Sequence, residues 1–200
     1  NLDAMKKNII AGYNISCVGD DNAYSYLPSR DGQTIADEVA MYVLNQVHPD
    51  FVQYSYLDRG SDERQYCSPG IDLPIASVMR TKYGAYKEYH TSLDDLDYVS
   101  AEGLFGAYDI LSRCIEHIED YRIYKTTILC EPQMGRRNLR STLGAQTDMP
   151  ANTMLMSHIL VYSDGKCDVL SMANKFGVSL TDLLEIVDIL VKEGLLEEVV

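Results

Sequence analysis

The opening of the chain sets short apolar runs between polar turns. Residues 7–18, KNIIAGYNISCV, are apolar and rich in β-branched side chains, and Gly19-Asp20-Asp21 follows, which predicts a strand ending in a turn. From Asp31 to Val47, the residues Ile35, Val39, Tyr42 and Val43 share one helical face. Residues 51–57, FVQYSYL, alternate Val52, Tyr54 and Tyr56 and predict a second strand. A loop with Gly60, Pro69 and Gly70 leads to a third strand over 73–79, where Pro74 sits near the start and need not donate to the ladder. Over 101–121, Leu104, Ala107, Tyr108, Leu111, Ile115 and Ile118 recur at helical spacing, with Ser100 placed to cap the helix. Strand, helix, strand, loop, strand, helix is an α/β pattern, and helix-linked strands favour a parallel sheet. Three strands are few for such a sheet, so the remaining ones are expected upstream of Asn1.

Residues 126–150, TTILCEPQMGRRNLRSTLGAQTDMP, hold Arg136, Arg137 and Arg140, show no sustained period and read as a connector. From Ala151 the pattern becomes helical. Met154, Leu155, His158, Ile159 and Tyr162 share one segment, and Ser163-Asp164-Gly165 turns the chain. A short helix over 168–176 stops at Gly177, Ser179 caps another that runs to about Lys192, and Leu195-Leu196-Glu197 can form a strand. This is a winged-helix outline. The expected division is therefore 1–125 for an α/β domain, 126–150 for a connector and 151–200 for a winged-helix-like domain.

Charge changes what that outline implies. Residues 151–200 carry a net charge of −5 and no Arg. The would-be recognition helix presents Asp182, Glu185 and Asp188 where phosphate contacts need Arg or Lys. The whole chain stands at −13, which repels nucleic acid and anionic membranes. Packing or protein contact suits the C-terminal module better than DNA, and its apolar helices would suit a homo-oligomer contact. At 200 residues, with 46% hydrophobic and 24% charged, the chain can bury a core and is neither disordered nor fibrous. No apolar run approaches the roughly 18 residues of a membrane span, and no signal-peptide pattern opens the chain. The chain begins at Asn1 without a Met and reads as a piece of a longer protein. Its five cysteines are scattered without a C-x-x-C pair, against a disulfide scaffold or a cysteine zinc site and in keeping with a reducing cytoplasm.

The polar chemistry concentrates in residues 57–97. Two clusters, Asp58-Arg59-Gly60-Ser61-Asp62-Glu63-Arg64 and Tyr89-His90-Thr91-Ser92, each follow a predicted strand, as does Gly19-Asp20-Asp21. Ligand sites of open α/β sheets lie beyond the carboxyl ends of strands, so three loops can gather His90, Asp20 or Asp21, and Asp62. Imidazole with carboxylates is a common ligand set for catalytic zinc. By spacing alone other readings stand equally: Ser92-x-x-Asp95 fits a capping pattern that would put His90 near a helix start, and Asp62 and Glu63 can form a solvated loop held by Arg59 and Arg64.

Longer motifs sharpen this reading. The segments GSDERQYCSPGIDLP (60–74), EYHTSLDDLD (88–97) and CVGDD-x-x-YSYLPSR (17–30), with Cys130-Glu131-Pro132-Gln133 and the C-terminal winged-helix pattern, resemble the bacterial aminopeptidase-like proteins described as polysaccharide-biosynthesis proteins, relatives of the zinc exopeptidases. The resemblance covers almost the whole chain. It implies an α/β fold, the C-terminal part of a zinc-aminopeptidase-like, mainly parallel sheet flanked by helices, followed by a small winged-helix domain. It also implies zinc as cofactor, with His90 as a ligand and Tyr89 steadying the oxyanion. Ser61-Asp62-Glu63 matches a Ser-Asp-His segment of those relatives, with Glu in place of His. Where they carry a metal-binding Asp within a strand, this chain has Ala11-Gly12-Tyr13, leaving Asp20 or Asp21 as substitutes from the strand end. Their first His and Asp ligands and their glutamate base have no counterpart in these 200 residues.

The expected function is the C-terminal portion of a zinc-dependent hydrolase in which metal-activated water attacks an amide carbonyl. Tyr89 is the catalytic residue, His90 and Asp21 are metal ligands, and Asp20, Asp62 and Glu63 bind a peptide or an amino-group-bearing small substrate through its ammonium. One alternative is a catalytically degenerate metal- or ligand-binding module of a surface-polysaccharide pathway. Another is a winged-helix regulator whose α/β part senses a ligand, which the acidic C-terminal module disfavours.

Overall fold

A computed structural model of the chain describes residues 1–137, 139 and 151–199. Two compact units divide it, Asn1–Asp120 and Tyr121–Val200. In the first, helix α1 (Leu2–Asn8) precedes strand β1 (Gly12–Asn14), and β2 (Ser25–Leu27), α2 (Ile35–Val47), β3 (Val52–Gln53), α3 (Glu63–Tyr66), β4 (Ile75–Met79) and α4 (Ala101–Glu119) follow. The sheet order is β1-β4-β2-β3, with β1 parallel to β4, β2 parallel to β3, and β2 antiparallel to β4. Two of its three pairings are parallel, as helix-linked strands favour.

The apolar face of α2 buries Val39, Ala40, Val43 and Leu44, and α4 buries Ala107, Ile110 and Cys114. Both helices pack on each other and on β4, whose Ala76, Val78 and Met79 are buried. Asp37 ties α2 to the sheet: its carboxylate accepts from Thr34 N at 2.9 Å, from the Tyr26 hydroxyl at 2.8 Å and from Ser29 N at 2.8 Å. One buried side chain thus closes a capping box and fixes the β2–α2 turn.

The N-terminal segments differ from their hydrophobic pattern. Residues 7–18 are not one strand: Leu2–Asn8 is helical, with Asp3 in its first turn and Lys6 and Lys7 in its last, which complements the helix dipole, and only Gly12–Asn14 pairs. Residues 51–57 give a two-residue β3 and then a 3-10 turn, Tyr56–Asp58, whose start is capped by Ser55 accepting from Leu57 N at 3.1 Å. Strand β2, unforeseen, is three buried residues long, too short to show a period.

In the second unit, β5 (Ile123–Thr126) lies between β6 (Asp164–Asp168) and β7 (Leu196–Glu198) in an antiparallel sheet. Helices α5 (Ala151–Tyr162), α6 (Val169–Phe176) and α7 (Leu180–Lys192) close a core that includes Ile159, Leu170, Met172, Leu183, Val187 and Leu190. Asp168 caps α6 through Ser171 N at 2.8 Å, Gly177 ends it at φ +67°, and Ser179 caps α7 through Asp182 N at 3.1 Å. Residues 163–165, read as a turn, instead lead into β6. Because β5 pairs only within this unit, the division falls before the expected boundary at residue 125. Of the expected connector, Thr126 belongs to β5 and Met134–Arg137 forms a 3-10 turn with Met134 buried, while 138 and 140–150 lie outside the described residues. Among the described residues no helix is long and apolar enough to cross a membrane.

Candidate functional site

Strands β1 and β4 run parallel, so their carboxyl ends open on one edge of the sheet. The chain leaving them forms the segments 15–24 and 80–99, which are stitched together there. Arg80 N donates to the Cys17 carbonyl at 2.8 Å, and the Arg80 Nε donates to the Asp20 carbonyl at 2.7 Å. The Asp20 carboxylate accepts from Thr81 N at 3.0 Å, Thr81 Oγ1 at 2.5 Å and Asn22 N at 3.1 Å. The start of α4 closes on the same loop, with Ser100 N donating to the Gly19 carbonyl at 2.9 Å. Gly103 is required at this approach, because a Cβ there would collide with the Gly19 and Asp20 carbonyls.

Between these segments lies a cleft of about 440 Å³ whose walls include Cys17, Asp20, Tyr86, Tyr89, His90, Asp94 and Tyr98. Its rings form a continuous set. His90 stacks on Tyr89 with centroids 4.0 Å apart, Tyr89 meets Tyr86 edge-on at 5.7 Å, and Tyr86 stacks on Tyr98 at 4.9 Å. His90 is exposed and holds φ +58°, a left-handed backbone uncommon for a residue with a Cβ. Cys17 is likewise left-handed at φ +50°, and its Sγ accepts from the Tyr86 hydroxyl at 3.5 Å. Burial, then that hydrogen bond, push the Tyr86 hydroxyl far above the usual phenol range, so it stays a proton donor. Burial, then the Asp20 charge, raise the Tyr98 hydroxyl too, which lies near Asn22 and Thr81 without reaching hydrogen-bond geometry to either.

The structure sorts the sequence-derived site residues. Tyr89, His90 and Asp20 come together in the cleft, joining two of the three expected loops. Asp20 is only 2% exposed and its carboxylate is occupied by donors from its neighbours, so it fastens loops and is not open to a substrate. Asp21 is exposed and does not line the cleft. Asp62 is also exposed, at the start of α3, away from the cleft lining. Glu63 departs furthest from its expected role: it is 0% exposed and cannot touch a substrate. One carboxylate oxygen accepts from Gly60 N and Ser61 N at 2.8 Å and from the Tyr83 hydroxyl at 2.7 Å, and the other accepts from Asn14 Nδ2 at 2.9 Å. Burial pushes this carboxyl up, but the Tyr83 hydroxyl and the two backbone N–H groups outweigh it and hold it below its ordinary value. Glu63 thereby positions Tyr83, whose ring lies 6.2 Å from Tyr89. The third loop thus holds Tyr83 beside Tyr89, while none of its own residues is in the cleft lining.

Sequence reasoning missed Asp94, Tyr86, Tyr98 and Cys17. Four tyrosines within residues 83–98 were the available signal.

A catalytic zinc takes three protein ligands and an open position. Among the described residues no three His, Cys, Asp or Glu side chains converge as such a set. At the cleft the chain offers an exposed imidazole, His90, with the Asp94 carboxylate lining the same cleft. That fits a contribution to a metal site, not a complete one.

Residues 122–198 match a winged helix-turn-helix family. A Clostridium acetobutylicum protein, provisionally named as a polysaccharide biosynthesis protein with an aminopeptidase-like domain, is 36% identical over 198 residues. The match covers 98% of this chain and 45% of that protein, so the chain spans under half the length of this curated relative. A crystal structure from the same organism, of a protein provisionally described as a peptidase, superposes with a TM-score of 0.79 at 34% identity, covering 100% of this chain and 44% of the other. Residues 1–121 match the family described as a domain of unknown function, DUF4910, and with more than half its length matched the chain belongs to that family.

Proposed function

We propose that this chain is part of a zinc-dependent, aminopeptidase-like hydrolase acting on an amide. The observation that supports it is the meeting of Tyr89 and His90 with the β1 loop at the carboxyl edge of β1 and β4, in a chain similar to proteins named for peptidase or aminopeptidase-like character. When bound, zinc would supply a water acidic enough to attack at neutral pH and a Lewis acid for the carbonyl. His90 would be one of its ligands, its exposed imidazole stacked on the Tyr89 ring. The Tyr89 hydroxyl would donate to the oxygen of the attacked carbonyl as charge builds there. Further ligands and a general base would come from outside these 200 residues.

The first measurement is zinc per chain after exhaustive dialysis, in the longest natural form carrying this sequence, wild type against His90→Asn. Asparagine tolerates the left-handed backbone that the position requires, so the variant removes the imidazole with little strain. Near-stoichiometric zinc that is lost in the variant supports the assignment. Zinc kept by the variant, or absent from both proteins, removes it. A degenerate binding module would then replace the hydrolase. That second reading is favoured by Glu63: it stands where the resembled exopeptidases carry a His, yet is wholly buried and hydrogen-bonded into the scaffold.

A further inference from the structure

The cleft combines three kinds of lining. One wall is aromatic, formed by the rings of Tyr86, Tyr89, Tyr98 and His90. A second part is aliphatic, from Val18, Val99 and Leu104. Hydrogen-bonding capacity is left over: the exposed Asp94 carboxylate makes no hydrogen bond or ion pair among the described residues. Among the described residues no Lys or Arg lines the cleft, while two carboxylates, Asp20 and Asp94, do.

Each feature excludes a ligand class. An anionic ligand would face Asp94 and Asp20 with no cation to offset them. A purely apolar ligand would cover the Asp94 carboxylate without giving it a partner. A pyranose satisfies both demands, since its C–H face packs on aromatic rings while its equatorial hydroxyls donate to a carboxylate. The volume of about 440 Å³ lies within the usual range for small-ligand sites. The aliphatic patch matches a short acyl group, which is also what an amide hydrolase would require on such a ring.

We propose that the cleft binds an uncharged N-acylated amino sugar, its ring against the tyrosine wall, its hydroxyls on Asp94 and its acyl group toward Val18, Val99 and Leu104. The acyl part rests on the amide-hydrolase reading above, whereas the sugar-ring part stands without it.

Saturation-transfer NMR on the full 200-residue chain tests the proposal, with N-acetylglucosamine, glucose, N-acetylglucosamine 6-phosphate and leucylglycine as probes. Transfer to the ring and acetyl-methyl protons of N-acetylglucosamine is expected, with weaker binding of glucose and of the 6-phosphate. The side chain of Asp94 is exposed and makes no hydrogen bond or ion pair among the described residues, so Asp94→Ala leaves the fold intact and is expected to weaken N-acetylglucosamine about tenfold, the loss of one hydrogen bond to a charged group. Leu104→Ser, on the exposed side of α4, is expected to reduce transfer to the acetyl methyl selectively.

Absence of transfer from both sugars overturns the proposal, as does sugar binding unchanged in Asp94→Ala, or binding of leucylglycine alone. Glucose equal to N-acetylglucosamine overturns the acyl part. These outcomes separate from the zinc measurement. Sugar binding without His90-dependent zinc removes the hydrolase reading and keeps the ligand class, and zinc without sugar binding does the reverse.

Discussion

Glu63 is a buried charged side chain that ties separate parts of the scaffold together. It is wholly buried, and four donors from three parts of the chain converge on its carboxylate. Glu63→Ala leaves the Asn14 amide, the Tyr83 hydroxyl and two backbone N–H groups without their acceptor, at an expected cost of about 3 kcal/mol or more. Glu63→Gln keeps the shape and turns an amino group toward at least one donor, costing about 1–3 kcal/mol. Because the folded carboxyl titrates below its ordinary value, its contribution is present above the unfolded carboxylate range and lost as pH falls through the folded value. Urea unfolding of wild type and Glu63→Gln at pH 7 and at low pH checks the sign: the gap between the two proteins should narrow on acidification. An unchanged gap would mean the carboxylate charge is not what the site holds. The sequence marked Glu63 as chemically placed but not its depth, because burial depends on Asn14 and Tyr83, which lie far from it along the chain.

At the scale of elements, the caps were readable and the short strands were not. Ser100 was marked as a cap, and its side chain accepts from Gly103 N at 2.9 Å. Asp168 and Ser179 cap their helices similarly. Such contacts span three residues, so local sequence contains them. Strands β2 and β3 hold three and two residues, and neighbouring strands alone decide that they pair. The start of α4 is the element on which the cleft depends. Ser100→Ala should cost about 1 kcal/mol, the usual value of a lost cap. Gly103→Ala should cost more, on the order of 1–3 kcal/mol, because its Cβ meets backbone carbonyls of the 17–20 loop that cannot swing aside. Thermal melts rank the two variants, and a Gly103→Ala protein as stable as wild type would show that the loop yields freely.

Over the whole molecule, the division after Asp120 separates two units, each with its own sheet and core. Residues 121–200 produced alone should therefore melt cooperatively by circular dichroism, and a broad, non-cooperative loss of signal would contradict an independent core. The same unit exposes Asp182, Glu185 and Asp188 on α7. Fluorescence anisotropy with duplex DNA at low salt should show no retention, and binding that weakens steeply with added salt would reverse that expectation.

The sequence by itself determined the α/β class, the winged-helix outline, the capped helices and the tyrosine- and histidine-bearing loop, because periodicity, caps and motifs are local properties of the chain. Tertiary structure alone decided which polar residues share a cleft. Parallel pairing of β1 with β4 brings Cys17 and Asp20 to Tyr86, His90 and Asp94 across some seventy residues of sequence. It also decided that Asp20 and Glu63 are spent inside the scaffold while Asp94 stays open. A carboxylate's role follows from whether its oxygens are already occupied, and the donors that occupy them come from residues no local pattern connects.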